Sequence, residues 1–139
     1  MIDLQRVFWA IMLISLARTY SPNPTNFPLL ADIPIHYINN KGVENQDIIK
    51  KWDANFPINM IEKYLTNLKS LQALKMDWGR NDDITHIPAT NLELSKKLEK
   101  LGVEHFAEEY IGMHVDKFGE EEGRFYSAML PFFNRYLAF

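Results

Sequence analysis

The stretch from residue 72 to residue 111 constrains the fold more than any other part of the chain. In Gln72 to Trp78, Leu74, Met76 and Trp78 alternate with Ala73, Lys75 and Asp77, which is the period of a strand. Thr90 and Glu93 form a capping box, Leu94, Leu98 and Leu101 make an apolar stripe, and Gly102 stands where a helix ends. His105 to Ile111 then reads as a second strand, with Glu108 and Glu109 marking a sheet edge. Strand, helix and strand in this order close into parallel neighbours through a right-handed crossover. The expected fold class is therefore α/β, a three-layer α/β/α arrangement on a mostly parallel sheet.

The flanks extend that pattern. Asn45 to Trp52 reads as a short helix, and Pro57 opens another in which Ile58, Ile61, Leu65 and Leu68 repeat at helical spacing. A closing helix begins near Glu121 with Phe125, Met129, Phe132, Phe133 and Tyr136 on one face, and Pro131 should kink or restart it. Residues 21 to 43 are rich in proline and asparagine and read as an irregular excursion. The apolar run Val7 to Leu16 reads as a strand buried on both faces. It could also imitate a signal-peptide core, but Asp3 balances Arg6 and removes the expected positive flank. A cytoplasmic location is favoured on that ground, with secretion left open.

With 139 residues, 47% of them hydrophobic, the chain has apolar material for one domain with a core. A net charge of −3 without any run of Lys or Arg gives no footprint for a nucleic acid or an anionic membrane. The lack of cysteine removes disulfides, thiolate chemistry and Cys-ligated zinc.

Candidate chemistry lies where the two strands end. Asp82 follows the first strand by a few residues and His114 follows the second. Parallel neighbours about 4.8 Å apart bring both to the carboxyl edge, where open α/β sheets place their sites. A carboxylate bonded to an imidazole nitrogen fixes its tautomer, which suits a general base. Alone, Gly79 to Asp82 would read as a turn. Asp83, His86 and Asp116 could join Asp82 and His114 as ligands of a hard metal, but no compact ligand spacing is present and no metal is assigned. His36 and His105 have no evident partner, and Phe125, Met129 and Phe133 read as core rather than as a cofactor box.

Asp77 to Asp83 (DWGRNDD), His86-Ile87-Pro88, Leu101 to His105 (LGVEH), Glu108 to His114 (EEYIGMH) and Met129 to Phe133 (MLPFF) together resemble the carboxyl-terminal half of the esterase-family α/β hydrolases. That branch includes feruloyl and acetyl esterases, enterochelin-esterase-like proteins and S-formylglutathione hydrolases. Ala17 to Ile35 resembles the segment that follows the nucleophile helix, so the likeness covers nearly the whole chain. The resemblance implies a Ser-His-Asp carboxylic ester hydrolase without a cofactor, with Asp82 as the acid, Asp83 as its nearest substitute and His114 as the base. Residues 22–56 would form a lid-like excursion, and residues 72–139 would carry acid and base.

The family's Gly-x-Ser-x-Gly elbow is absent. Among Ser15, Ser21, Ser70, Ser95 and Ser127, only Ser21, just past the first expected strand, is a candidate nucleophile, and a weak one. The chain thus resembles the last three strands of a larger hydrolase sheet and is expected to be inactive alone. The alternative is a non-catalytic hydrolase-like remnant that serves as an interaction or dimerisation module. An open edge on the residue 7–16 strand would make the chain self-associate or homo-oligomerise, or bind a separate amino-terminal half that completes an ester site.

Overall fold

The computed structural model describes residues 4–137. Two compact units divide the chain, Met1–Met60 and Ile61–Phe139.

The first unit begins with helix α1, Leu4–Tyr20, where a strand over residues 7–16 was expected. A continuous apolar run carries no period that separates strand from helix, and length decides. Here the run continues through Ala17 to Tyr20 without a breaker, which favours the helix. Its last turns pack: Ala17 is buried with Ala31, Ile48 and Trp52, and Leu16, Tyr20, Ile33 and Phe56 close around them. The preceding turns leave Val7, Phe8, Trp9, Ile11, Met12 and Leu13 exposed. A helix has no unpaired ladder, so self-association through a strand edge at residues 7–16 has no strand to act through. No helix among the described residues is long and apolar enough to cross a membrane.

Within the stretch read as irregular, strands β1 (Ile35–Ile38) and β2 (Lys41–Glu44) form an antiparallel hairpin. Its turn residues Asn39 and Asn40 have φ of 50° and 61°. Asparagine tolerates this left-handed region, and two such residues match the twist of the flanking strands. Asn45 then caps helix α2, Gln46–Asn55, by accepting the Ile48 N–H. The single helix expected from Pro57 is divided into α3, Pro57–Met60, and α4, Leu65–Lys69.

The second unit contains the strand-helix-strand element. Strand β3 (Lys75–Gly79) pairs in parallel with β4 (Phe106–Tyr110), in a register that sets Lys75 beside Phe106 and Gly79 beside Tyr110. Between them, α5 spans His86–Lys100. It starts before the expected capping box, because Pro88 fits the first turn, where its missing N–H costs nothing. The Thr90 hydroxyl donates to the His86 carbonyl inside the helix instead. The end is as expected: Gly102 adopts φ +68°, its N–H reaches the Glu99 carbonyl, and the Val103 N–H reaches that of Leu98. Leu98, Ile61 and Val103 are buried together, with Leu68, Leu74, Met76 and Leu94 against them.

The closing helix does restart at Pro131. A π-helical turn, Phe125–Met129, gives way to α6, Leu130–Tyr136, with the proline in its first turn. The described residues thus form a mixed α/β protein with one small parallel sheet and a separate hairpin.

Candidate acid and base pair at the carboxyl edge

The ladder between β3 and β4 continues past both strands. The Arg80 N–H donates to the Tyr110 carbonyl (2.8 Å) and the Asn81 N–H to that of Gly112 (3.0 Å). Gly79 permits this approach, since a Cβ there would run into the carbonyl oxygens of Gly112 and Met113. The two following loops are thereby brought side by side.

Asp82 and His114 meet there, with Asp82 Oδ2 lying 2.7 Å from His114 Nδ1. The Asp82 side chain is almost wholly buried, while 48% of the His114 side chain is exposed. The second carboxylate oxygen, Oδ1, accepts the Ile84 N–H at 2.9 Å, so both oxygens are held. Burial raises the Asp82 pKa. The His114 hydrogen bond, the Ile84 amide and the attraction of the imidazole together outweigh it and hold the carboxyl below its ordinary value. An ionised carboxylate only accepts, so Nδ1 carries a proton, and in the neutral form of the ring the lone pair is on Nε2. Among the described residues Nε2 has no hydrogen-bond partner. A half-exposed imidazole with an oriented tautomer and a free basic nitrogen can take and return a proton.

The competing residues are placed otherwise. Asp83 is exposed, and the imidazole bonds to Asp82 and not to it. His86 is the exposed first residue of α5, and His36 lies exposed in β1. Among the described residues no three His, Cys, Asp or Glu side chains are grouped to hold a metal ion. Asp116 instead accepts the Met113 N–H at 2.7 Å.

His105, without an evident partner in the sequence, has two. Its Nδ1 faces the Val103 carbonyl at 3.0 Å and must donate, so Nε2 accepts from the Ser95 hydroxyl at 2.8 Å. This pair ties α5 to the start of β4. Ser21 belongs to the first unit, buried, with its hydroxyl 2.6 Å from the Asp32 carbonyl and accepting the Trp52 indole N–H at 2.8 Å. Asp32 in turn holds the Asn23 and Asn26 amides. Ser21 is a structural element of that loop, and no serine hydroxyl among the described residues is bonded to His114.

Sequence reasoning missed the support behind His114. The Tyr110 hydroxyl reaches the Met113 and His114 carbonyls, at 2.7 and 2.9 Å. The Arg124 guanidinium lies 3.8 Å from the centre of the Tyr110 ring and pairs with Asp77 at 2.5 Å. A signal was available: Lys75 and Asp77 are charges on one side of a strand and need partners, and they find them in Glu108 and Arg124.

No protein-family model matches the chain, and no curated protein matches it.

Proposed function

We propose that Asp82 and His114 are the acid and general base of a Ser-His-Asp hydrolase acting on carboxylic esters. The observation that supports this reading is the 2.7 Å bond between a buried carboxylate and an imidazole whose other nitrogen is free, just beyond parallel strand ends. In that chemistry Asp82 keeps the proton on Nδ1 and stabilises the imidazolium. Nε2 takes the proton of the attacking hydroxyl and returns it to the leaving alcohol. The sequence resemblance to esterase-family hydrolases supplies the ester as the substrate class. The reading also carries a three-layer architecture, in which β3 and β4 are the last strands of a larger sheet.

The nucleophile is the absent member of this set. Its test is to translate the coding DNA upstream of Met1, look for Gly-x-Ser-x-Gly, and assay the longer product on short p-nitrophenyl esters. Turnover that His114→Ala lowers by roughly 10³-fold or more is expected. No upstream elbow, or turnover indifferent to His114, would reject the reading.

A second reading is a non-catalytic remnant acting as a dimerisation module. It is favoured by α1, where Phe8, Trp9 and Ile11 are 46%, 49% and 58% exposed. A helical segment apolar on all sides, as Val7 to Ile14 is, belongs under a covering surface, here assigned to a second copy of the chain. Ester hydrolysis abolished by His114→Ala would rule this reading out.

A further inference from the structure

We propose that Tyr110 is the positioning residue for His114, its hydroxyl holding the backbone that carries the imidazole while Arg124 holds its ring. The catalytic meaning of this role rests on the hydrolase reading above, whereas the positioning can be measured without it.

The need for such a residue comes from the loop itself. Ile111, Met113 and Val115 are all exposed, so apolar packing does not fix the chain around His114. Hydrogen bonds must do it, and several converge there. One Tyr110 hydroxyl proton is shared between two successive carbonyls, those of Met113 and His114. The Met113 N–H is taken by Asp116, and the Gly112 carbonyl by the Asn81 N–H. Tyr110 ends β4, so its Cα is set by the ladder with Gly79.

The ring is fixed from the other side. Arg124 lies over it at 3.8 Å, is anchored by Asp77 of β3, and donates from Nε to the Asp116 carbonyl at 3.3 Å. A guanidinium stacked on a phenol ring and paired with a carboxylate has little freedom to leave. A continuous set of contacts therefore runs from β3 through Asp77, Arg124 and Tyr110 to the His114 backbone. Burial raises the Tyr110 pKa, the Asp77, Asp116 and Asp82 charges add to it, and the Arg124 cation opposes; the net rise keeps the hydroxyl a donor. An imidazole that must keep a proton on Nδ1 toward Asp82 tolerates displacements of only about 0.5 Å, so loosening its backbone should reach the tautomer.

The test is the imidazole nitrogen and proton NMR spectrum of His114 in the full chain, followed through its titration. The wild type should show predominantly the Nδ1–H tautomer with a proton protected from exchange, and Asp82→Asn should remove that bias. Tyr110→Phe retains the ring over Arg124 and deletes only the hydroxyl. It should shift His114 toward a tautomer mixture and expose the Nδ1 proton to exchange. Arg124→Gln, which frees the ring but leaves the hydroxyl, should change the same signals in the same direction and by less. A folded Tyr110→Phe protein with an unchanged His114 tautomer and titration overturns the proposal. If Phe at 110 prevents folding, unchanged His114 signals in Arg124→Gln overturn it. In an active longer product, Tyr110→Phe should lower kcat and leave KM near its original value. Failure of ester turnover alongside a tautomer that responds to Tyr110→Phe would remove the hydrolase reading and leave the positioning intact.

Discussion

The backbone of Gly79 lies against that of Gly112 so closely that a Cβ on Gly79 would stand 2.5 Å from the Gly112 carbonyl oxygen. The obstacle is backbone, which cannot rotate aside as a side chain can. Gly79→Ala should therefore push the loops after β3 and β4 apart. A stability loss of about 1–3 kcal/mol is expected, as for an overpacked site. Urea titration measures it, and a variant as stable as the wild type with Asp82 still bonded to His114 would contradict the close approach.

Leu98 is 2% exposed and is buried in one cluster with Ile61 and Val103. Its truncation leaves a cavity that α5 cannot collapse into while Gly102 and Val103 hold its end. Leu98→Ala should cost about 2–5 kcal/mol in equilibrium unfolding. A loss under roughly 0.5 kcal/mol would mean that this cluster is not a core.

Asp82 predicts a direction for stability against pH. Its carboxyl is held below the ordinary value of 3.8 in the folded protein, so the unfolded chain binds the proton more tightly. Stability from this group is complete above that value and is lost as the pH falls below it toward the folded pKa. Glu109 behaves likewise below 4.5, held down first by the Arg80 hydrogen bond against burial, with help from the Trp78 indole. Acid unfolding of Asp82→Asn should show a shallower decline than the wild type. Superimposable profiles would deny Asp82 its folded-state partners.

The 139-residue chain by itself should leave p-nitrophenyl acetate at the background rate. The Ser21 hydroxyl is engaged by Asp32 and Trp52, that of Ser95 by His105, and that of Ser127 by the Gly123 carbonyl. A burst of nitrophenol that disappears with His114→Ala would reveal a nucleophile among these residues.

Sedimentation should report self-association that rises with concentration. Charges placed at Phe8 and Trp9 on the exposed part of α1 should reverse it, since the effect would come from apolar area removed from water. A monomer at all concentrations would remove the basis of the dimerisation reading.

What the sequence disclosed was local chemistry with an unambiguous period. The alternation in β3 and the leucine stripe and terminal glycine of α5 placed Asp82 and His114 at one edge, and those two do meet. The run from Val7 to Leu16 misled because an uninterrupted apolar segment has no period. The β1–β2 hairpin was hidden because Asn39-Asn40 lies among prolines and asparagines that also suit an irregular loop. Tyr110 and Arg124 were out of reach for another reason: a cation stacked on a ring is a relation between residues set by tertiary packing, which leaves no spacing to read.

The burial of Trp52 against Ser21 gives each compact unit its own optical label. Trp52 is shielded in the first unit and donates its indole N–H to a serine oxygen, while Trp78 is shielded in the second, next to Glu109. Trp9, half exposed on α1, lies outside both buried clusters and would blur their signals. Replacing Trp9 and one of the buried indoles by phenylalanine leaves a single fluorophore, whose red shift dates the opening of its own unit. The chain is thereby equipped to reveal whether its two halves melt together or in turn.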